Sequence, residues 1–198
     1  MIVTKIRGVE LEFETSPQLF SPRAIDAGTL AMLSQVEFLA DDKVLDLGCG
    51  YGVVGILAAK LIGADRVFMV DSDPLAVEIS TRNAALNGVP SVAVGLSDGF
   101  DAVTTSAFSQ ILCNPPYHAD FAVPKRFIHK GFNRLLVGGR FWLVAQREVW
   151  YRNKLRSIFG GAREHRVGPY HIFEALKRSP RYANARTSDR SAAEHPSD

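Results

Sequence analysis

The tetrapeptide Asn114-Pro115-Pro116-Tyr117 combines residue types that could prepare a planar amine for attack on an electrophile. Such a nitrogen is a poor nucleophile, because its lone pair is delocalised into a ring or a carbonyl. Two acceptors aimed at its N–H bonds would localise that pair, and the Asn114 side-chain oxygen and the Pro115 carbonyl are acceptors of this kind. Tyr117 offers an aromatic face to hold the planar group. Asn114, Pro115, Pro116 and Tyr117 are therefore the predicted catalytic residues.

A glycine-rich loop at Gly48–Gly52 lies upstream of the tetrapeptide and directly follows a short apolar segment. Glycines in this loop would let the backbone approach a ligand closely. Counted from Gly50, the glycine spacing also matches the G-x-G-x-x-G fingerprint of dinucleotide-binding folds. A nicotinamide-dependent oxidoreductase is therefore one interpretation of this loop.

Two carboxylates, Asp46 and Asp71, lie at the ends of predicted strands near this loop. Asp46 would crowd a pyrophosphate with negative charge, and it suits instead the cationic amino-acid end of S-adenosylmethionine. Asp71 ends the second predicted strand, where an acid would accept hydrogen bonds from the ribose hydroxyls of either cofactor. Asp46 is thus the residue that favours S-adenosylmethionine over a dinucleotide.

Strands alternating with helices predict a parallel sheet that is covered on both faces and joined by right-handed crossovers. The predicted strands span residues 43–47, 66–70, 92–94, 108–113 and 141–145, and the predicted helices span 24–36, 53–61, 74–86, 123–136 and 151–159. Ligands of such sheets bind outside the carboxyl ends of the strands. Because the glycine loop, Asp71, Asp98 and Asn114 each follow a predicted strand, we expect them to meet at one edge.

The two ends of the chain carry other patterns. Residues 2–14 alternate apolar and charged, which predicts a half-exposed strand or a hairpin that turns at Gly8. Residues 164–167 and 171–176 are expected to pair as a terminal hairpin. The segment 178–198 is rich in Ser, Arg, Ala and charge, which predicts disorder. The expected divisions are a hairpin extension over 1–20, one domain over 21–177 and a tail over 178–198.

The composition indicates a soluble globular protein, with 46% hydrophobic and 22% charged residues in a chain of 198. No uncharged apolar run reaches the roughly 18 residues of a transmembrane helix, and the amino terminus lacks a signal-peptide pattern. Cys49 and Cys113 lack metal-ligand spacing, so they are expected to be buried free thiols. We therefore expect a cytoplasmic protein with no metal site and no membrane partner.

Charge is distributed unevenly along the chain. Residues 1–120 carry 7 Lys and Arg against 15 Asp and Glu, whereas residues 121–198 carry 16 against 6. A basic half beside the tetrapeptide indicates a polyanionic partner, namely a nucleic acid and most simply RNA. The alternative is that these cations belong to solvated helix faces.

The combined motifs resemble class I S-adenosylmethionine-dependent methyltransferases, and they are most similar to the methyltransferase small domain group, which includes ribosomal RNA guanine-N2 methyltransferases. The resemblance is carried by Val44–Ile56, Val70-Asp71, Ser97-Asp98 and the Asn-Pro-Pro-Tyr unit, within about residues 18–177. It implies an α/β, doubly wound, Rossmann-like fold. The implied sheet has seven mostly parallel strands with an antiparallel last strand, and the short N-terminal hairpin is added to it.

The resemblance also implies roles for individual residues. The cofactor S-adenosyl-L-methionine would be held through its methionine part by Asp46, Gly48, Cys49, Gly50 and Gly52, through its ribose by Asp71 and through its adenine amine by Asp98. Phe20-Ser21-Pro22-Arg23 and Asp26-x-Gly28-Thr29 resemble the same group. Phe20, Arg23, Tyr117 and His118 are the predicted substrate contacts, although Phe20 and Arg23 could equally be a packed aromatic and a solvated cation.

The predicted function is methyl transfer to an exocyclic amine, with guanine N2 in RNA as the first choice. Adenine-N6 methyltransferases and release-factor glutamine methyltransferases share the Asn-Pro-Pro-Tyr unit, so adenine, a protein glutamine or a small molecule are alternative acceptors. The extra recognition domain of many RNA-modifying relatives and the helical amino-terminal domain of the glutamine enzymes are not found in this sequence. A non-catalytic RNA-binding scaffold and the oxidoreductase are the remaining alternatives.

Overall fold

The computed structural model describes residues 1–115, 122–145 and 148–184. A two-stranded antiparallel hairpin opens the chain, with β1 at Ile2–Ile6 and β2 at Val9–Phe13. Its turn uses Arg7 and Gly8, both with positive φ (52° and 83°). The predicted N-terminal hairpin is therefore confirmed.

Seven further strands form the central sheet. They are β3 (Val44–Leu47), β4 (Val67–Asp71), β5 (Ala93–Leu96), β6 (Phe108–Cys113), β7 (Leu135–Ala145), β8 (Arg163–Val167) and β9 (Tyr170–Leu176). The strand order is β5-β4-β3-β6-β7-β9-β8. The pairs among β3, β4, β5, β6 and β7 are parallel, whereas β9 runs antiparallel to both β7 and β8. This order confirms the predicted doubly wound, mostly parallel sheet with an antiparallel last strand.

Within the described residues, five α-helices cover the two faces of the sheet. They are α1 (Ala27–Leu33), α2 (Val53–Ile62), α3 (Pro74–Leu86), α4 (Ala122–Arg134) and α5 (Glu148–Phe159), with a short 3-10 helix at Ala64–Arg66. One apolar core joins α1, α2, α3 and the hairpin to one face, and a second joins α4 and α5 to the other. Successive side chains of a strand alternate between the two cores, so that Val44 enters the first and Leu45 the second. In the described ranges, no helix is both long and apolar enough to cross a membrane.

The predicted helix over 123–136 ends earlier than expected. Leu135 begins strand β7 opposite Phe108, and its carbonyl accepts a hydrogen bond from the Lys177 ammonium at 2.7 Å. The apolar pair Leu135-Leu136 suits a helix and a strand equally well, and pairing with the sheet decides between them. Helix α1 is likewise shorter than the predicted 24–36, because Asp26 caps it at the amino end.

Two asparagines on consecutive turns of α3 attach the hairpin to the domain. Asn87 bonds the backbone of Glu12 through both side-chain atoms, at 3.0 and 2.7 Å. Asn83 bonds the backbone of Glu14 in the same way, and its amide also donates to the Tyr51 carbonyl at 2.8 Å. Asn83 therefore holds both the hairpin and the glycine loop against α3.

The segment 178–184 lies across the carboxyl-terminal ends of α4 and α5. Tyr182 packs against Phe132 and donates a hydrogen bond to the Asn133 side chain at 3.1 Å. The amide of Ala183 donates to the Ile158 carbonyl at 3.0 Å. Residues 185–198, the rest of the predicted tail, lie outside the described residues, and the division of the chain at 20 and 177 stays a prediction.

Candidate active site at the carboxyl edge of the sheet

A cavity of about 390 Å³ lies at the carboxyl ends of β3, β4 and β6. Its lining includes these predicted site residues: Phe20, Asp46, Gly48, Cys49, Gly50, Asp71, Asp98, Asn114 and Pro115. Gly52 and Arg23 are not part of the lining. Pro116, Tyr117 and His118 lie outside the described residues. The topology thus brings strand-end residues from distant parts of the sequence to one cavity.

The glycine loop presents bare backbone to this cavity. Gly48 and Gly50 have φ of 77° and 55°, which L side chains rarely adopt, and a Cβ at either would meet no atom within 4 Å. Gly52 serves another purpose: a Cβ there would lie 2.8 Å from Ile56 Cδ1, so this glycine permits the start of α2 to pack. The open space beside Gly48 and Gly50 is therefore part of the cavity, whereas Gly52 is needed for close packing in the core.

Asp46 is a buried carboxyl group at the base of the cavity, with 4% of its surface exposed. The pKa of Asp46 is raised from 3.8 to about 7, chiefly by burial and in smaller part by the nearby charge of Asp71. A hydrogen bond from the Gly55 amide at 2.8 Å opposes both effects by stabilising the carboxylate. A cation bound beside Asp46 would relieve this cost, so the site is suited to a positively charged group.

Asp71 is held in place at the end of β4 by two backbone amides. One carboxylate oxygen accepts from Gly50 at 2.8 Å, and the other accepts from Asp73 at 3.0 Å. The first bond links the end of β4 to the glycine loop after β3. Asp71 thereby fixes the loop and keeps a carboxylate at the cavity wall.

Asp98 lies at the cavity rim with its side chain 65% exposed. Its carboxylate pairs with the guanidinium of Arg126 on α4, and this bond raises the pKa of Arg126. Arg126 lies 3.9 Å from Asp101 as well. The predicted adenine contact is therefore engaged by a cation in this structure.

Asn114, at the end of β6, has a fixed side-chain orientation. Its amide nitrogen donates to Asp26 Oδ2 at 2.8 Å and to Thr29 Oγ1 at 2.9 Å. A carboxylate only accepts hydrogen bonds, so the group facing Asp26 must be the NH2. The Asn114 Oδ1 atom is consequently the free end of the amide. It is buried, and it has no hydrogen-bond partner among the described residues.

Asp26 and Thr29 line the cavity and contact Asn114, and the sequence did not predict this contact. Asp26 Oδ2 accepts from the Thr29 amide at 2.8 Å as the N-cap of α1, and the same oxygen accepts from Asn114. The cap itself is predictable from the sequence, because Asp is a favoured N-cap residue and Asp26 lies before an apolar helical segment. Its partner is 88 positions away, and no local pattern indicates such a distance.

Tyr51 ties the segment before α1 to the cavity wall. Its hydroxyl donates to the Ala24 carbonyl at 3.3 Å, and burial followed by the charge of Asp26 raises the pKa of Tyr51 to about 12. Phe20 in this segment is 54% exposed while it lines the cavity. Arg23 is exposed and is not among the residues that line the cavity.

Comparison with known proteins gives consistent matches. The family model described as "Methyltransferase small domain" matches residues 10–174. The uncharacterized protein YbxB of Bacillus subtilis is 31% identical over 146 residues, which is 73% of each chain. The ribosomal RNA large subunit methyltransferase G of Aeromonas hydrophila is 29% identical over 167 residues, which is 81% of this chain and 44% of that protein.

A solved structure extends the likeness to the fold. It is the 16S rRNA N2 G1207 methyltransferase RsmC of T. thermophilus in complex with AdoMet and guanosine, with a TM-score of 0.77 and 28% identity. The match covers 89% of this chain and 50% of RsmC. The chain thus spans half or less of the length of the named ribosomal RNA methyltransferases that it matches.

Proposed function

This chain belongs to the methyltransferase small domain family, whose members are S-adenosylmethionine-dependent methyltransferases, and we propose that it methylates the exocyclic amine of a guanine in RNA. Family membership removes the nicotinamide-dependent oxidoreductase from the alternatives. The structure also explains why the G-x-G-x-x-G spacing did not indicate a dinucleotide site. Gly55 packs against Met69 and Asp46 and leaves no room there for a pyrophosphate.

The cavity fits S-adenosylmethionine, which would supply an electrophilic methyl group on a sulfonium. Asp46 is a buried carboxyl group whose charged form a nearby cation would stabilise, so it suits the amino group of the methionine part. Asp71 offers a fixed carboxylate for ribose hydroxyls, and Gly48 and Gly50 leave the space that a Cβ would fill. Asp98 would have to leave Arg126, at least in part, to bond the adenine amine.

The observation that carries the proposal is the buried, unpartnered Asn114 Oδ1. An unsatisfied buried acceptor is costly, and its free energy is recovered when a ligand donates to it. An exocyclic amine has two N–H bonds, and Asn114 Oδ1 together with the Pro115 carbonyl would accept both. These bonds hold the nitrogen lone pair toward the methyl group, at an attack distance of about 3–3.5 Å.

No separate base is needed in this scheme. Once the methyl group has transferred, the nitrogen is positively charged and its proton becomes acidic enough to leave to water. Asn114 and Pro115 therefore act by positioning and by polarising the N–H bonds. This arrangement requires a planar amine as the group that receives the methyl. It therefore excludes an aliphatic amine such as that of lysine.

Guanine in RNA is favoured over the other planar amines by two observations. The similar enzyme RsmC was solved with AdoMet and guanosine, and the similar methyltransferase G acts, by its name, on ribosomal RNA. In addition, residues 121–198 carry 16 Lys and Arg against 6 Asp and Glu, which suits a polyanion. Adenine N6, a protein glutamine and a small molecule are the other outcomes of the test.

The test combines binding with transfer. Calorimetric titration with S-adenosylhomocysteine measures the cofactor site, and tritiated methyl transfer to total RNA and to protein extract identifies the substrate class. Digestion of the labelled RNA to nucleosides should give N2-methylguanosine, and Asn114→Ala should abolish the label while it leaves S-adenosylhomocysteine bound. Label in N6-methyladenosine or in protein would replace guanine by that acceptor.

A further inference from the structure

The basic residues of the second half divide into two groups. Five have carboxylate partners: Arg126 pairs with Asp98, Lys130 with Asp101, Arg140 with Glu174, Arg152 with Glu164 and Arg166 with Glu148. No salt bridge joins Lys125, Lys154, Arg156, Arg163 or Arg178 to any residue in the part of the chain that the structure describes. The charges available to an external anion are therefore fewer than the sequence suggests, and they are localised.

Arg163, Arg178 and Arg181 converge on a second cavity of about 530 Å³. Phe132 and Phe159, from the last turns of α4 and α5, form its apolar wall, and Gly160 and Gly161 give it bare backbone at positive φ (83° and 139°). No carboxylate is among the described residues that line it. Arginines that line one cavity, with no acid among its described lining residues, give that cavity a positive potential.

The arginines are not required to cap the helix beside them. The carbonyls at the end of α5 already accept backbone hydrogen bonds: that of Arg156 from Gly160 at 3.0 Å, that of Ser157 from Asn184 at 3.3 Å and that of Ile158 from Ala183 at 3.0 Å. A guanidinium near a helix carboxyl terminus often serves this purpose. Because the carbonyls are satisfied, the positive charges of Arg163 and Arg178 remain for a ligand.

The position of this cavity relates it to the methyl-transfer site. Strand β8 begins at Arg163 and β9 ends at Leu176, next to Arg178, and β9 is antiparallel to β7. The arginine cavity therefore lies at the amino edge of the parallel strands, opposite the catalytic edge. A strand of six residues such as β6 separates the edges by about 20 Å. About six nucleotides of a helical strand, at ~3.4 Å each, cover that distance.

The surface of α4 and α5 between the two cavities is also basic. Lys125 lies in the first turn of α4, near the catalytic edge, and Lys125 lowers the pKa of Lys154 on α5 in addition to the effect of burial. Burial and then these two lysines lower the pKa of His129, one turn further along α4. The His129 ring contacts Tyr182, in the segment that borders the arginine cavity. Lys125 and Lys154 thus place positive charge on α4 and α5 between the two cavities.

We propose that Arg163, Arg178 and Arg181 bind a phosphate group of the RNA substrate, about 20 Å from the guanine that is methylated. Planar guanidinium groups match phosphate oxygens with paired hydrogen bonds, and several around one cavity recognise a phosphate rather than a diffuse surface charge. The RNA backbone would pass over α4 and α5 between the two cavities. This inference rests on the proposed function for its choice of RNA as the source of the phosphate.

The test uses the variant Arg163→Gln/Arg178→Gln and a charge-matched control, Lys5→Gln/Arg66→Gln. The control removes two exposed cations away from the cavity. Binding of a fluorescein-labelled RNA hairpin is measured by anisotropy across a salt series, in the presence of S-adenosylhomocysteine. The arginine variant should weaken RNA binding about tenfold or more and reduce the slope of log K against log salt by about one. Its affinity for S-adenosylhomocysteine and its melting temperature should match those of the control.

A second variant, Arg163→Lys/Arg178→Lys, keeps the charge and loses the planar fork. It should retain the salt slope of the wild type while it loses part of the affinity. Equal RNA affinities and slopes for the glutamine variant and the control would overturn the proposal. So would a fall in melting temperature with loss of S-adenosylhomocysteine binding, since the arginines would then be structural.

The two proposals fail in different ways. RNA binding that depends on the arginines, without label in guanine, would overturn the proposed acceptor and support the phosphate site. Methylated guanine with no effect of the arginine variant on RNA binding would do the reverse. Absence of any RNA binding by the wild type would overturn both.

Discussion

The Asp26 carboxylate lies 2.8 Å from the Asn114 amide nitrogen and so determines which end of that amide faces the cavity. The same oxygen caps α1 through the Thr29 amide. One atom thus joins the start of a helix to the candidate catalytic residue. The orientation of Asn114 therefore depends on the position of α1, which packs against β7 and β9, and it can be changed without removing Asn114.

We expect Asp26→Ala to lower kcat about tenfold, whereas loss of the N-cap should cost only about 1 kcal/mol of stability. The variant removes the oxygen that accepts from the Asn114 amide, so that this side chain can rotate out of its fixed orientation. The measurement is kcat on RNA together with a thermal melt. Asp73→Ala is the matched control, because Asp73 caps α3 through Leu75 at 2.9 Å and makes no hydrogen bond to Asn114 in the described part of the chain. Equal kcat values for the two variants would contradict the prediction.

Direct removal of the acceptor should have a larger effect. Asn114→Ala is expected to reduce kcat by about 10² to 10³, as for the loss of one preorganised polar group. S-adenosylhomocysteine affinity, measured by calorimetry, should change less than threefold, which is about 0.7 kcal/mol. The reason is that Asn114 contacts the amine that receives the methyl group and not the cofactor in the proposed scheme. A loss of cofactor affinity as large as the loss of kcat would show that Asn114 binds the cofactor instead.

Binding of S-adenosylhomocysteine should strengthen as pH rises through about 7. The pKa of Asp46 is raised to about 7 in the ligand-free protein, and only the carboxylate form attracts the amino group of the ligand. Below that pH, affinity should fall about tenfold per unit, because one proton must be displaced. Calorimetry at several pH values measures this, and Asp46→Asn should bind weakly with a flat profile.

The same group should affect the stability of the ligand-free protein in the opposite direction. Since the folded pKa lies above the ordinary 3.8, the folded state gains stability from the proton below about pH 4 and loses it as pH rises through about 7. Asp46→Asn should therefore melt higher than the wild type at pH 8 and show no such gain at pH 4. Parallel melting curves at both pH values would contradict the raised pKa.

Gly48→Ala should weaken S-adenosylhomocysteine binding more than tenfold. A side chain at φ 77° costs about 1–2 kcal/mol, and its Cβ would occupy the open cavity. Gly88→Ala is the matched control, because Gly88 has φ 74°, has no atom within 4 Å of an added Cβ and lies after α3. Both variants should lose similar stability in urea, but only Gly48→Ala should lose affinity. Equal affinities would place the cofactor elsewhere.

Asn83→Ala should lower both stability and cofactor affinity, whereas Asn87→Ala should lower stability alone. Each loses bonds to the hairpin, but only Asn83 also donates to the Tyr51 carbonyl in the glycine loop. Buried groups left unpaired cost about 1–3 kcal/mol each. Urea unfolding and calorimetry with S-adenosylhomocysteine measure the two effects. Identical cofactor affinities for the two variants would show that the loop does not depend on Asn83.

The edge of the sheet that carries the site was predictable from sequence for a topological reason. Parallel strands put their carboxyl ends together, so Asp71 and Asn114 had to meet once each was known to end a strand. The partner of Asn114 was not predictable, because Asp26 reaches it by the packing of α1. The charges of residues 121–198 were interpretable only in part, because the sequence does not show which cations form ion pairs in the fold. Arg152 on α5 and Glu164 on β8 are 12 positions apart in the chain but 2.6 Å apart in the fold.

The antiparallel strand β9 has a consequence for the order of folding during synthesis. Strand β7 remains an open edge with apolar residues such as Phe141 and Leu143 until β9 has left the ribosome and inserted between β7 and β8. The strands that carry the site, β3, β4 and β6, are all made earlier. A nascent chain that stops before Tyr170 would thus have its site strands and an unpaired apolar edge, which is a template for aggregation.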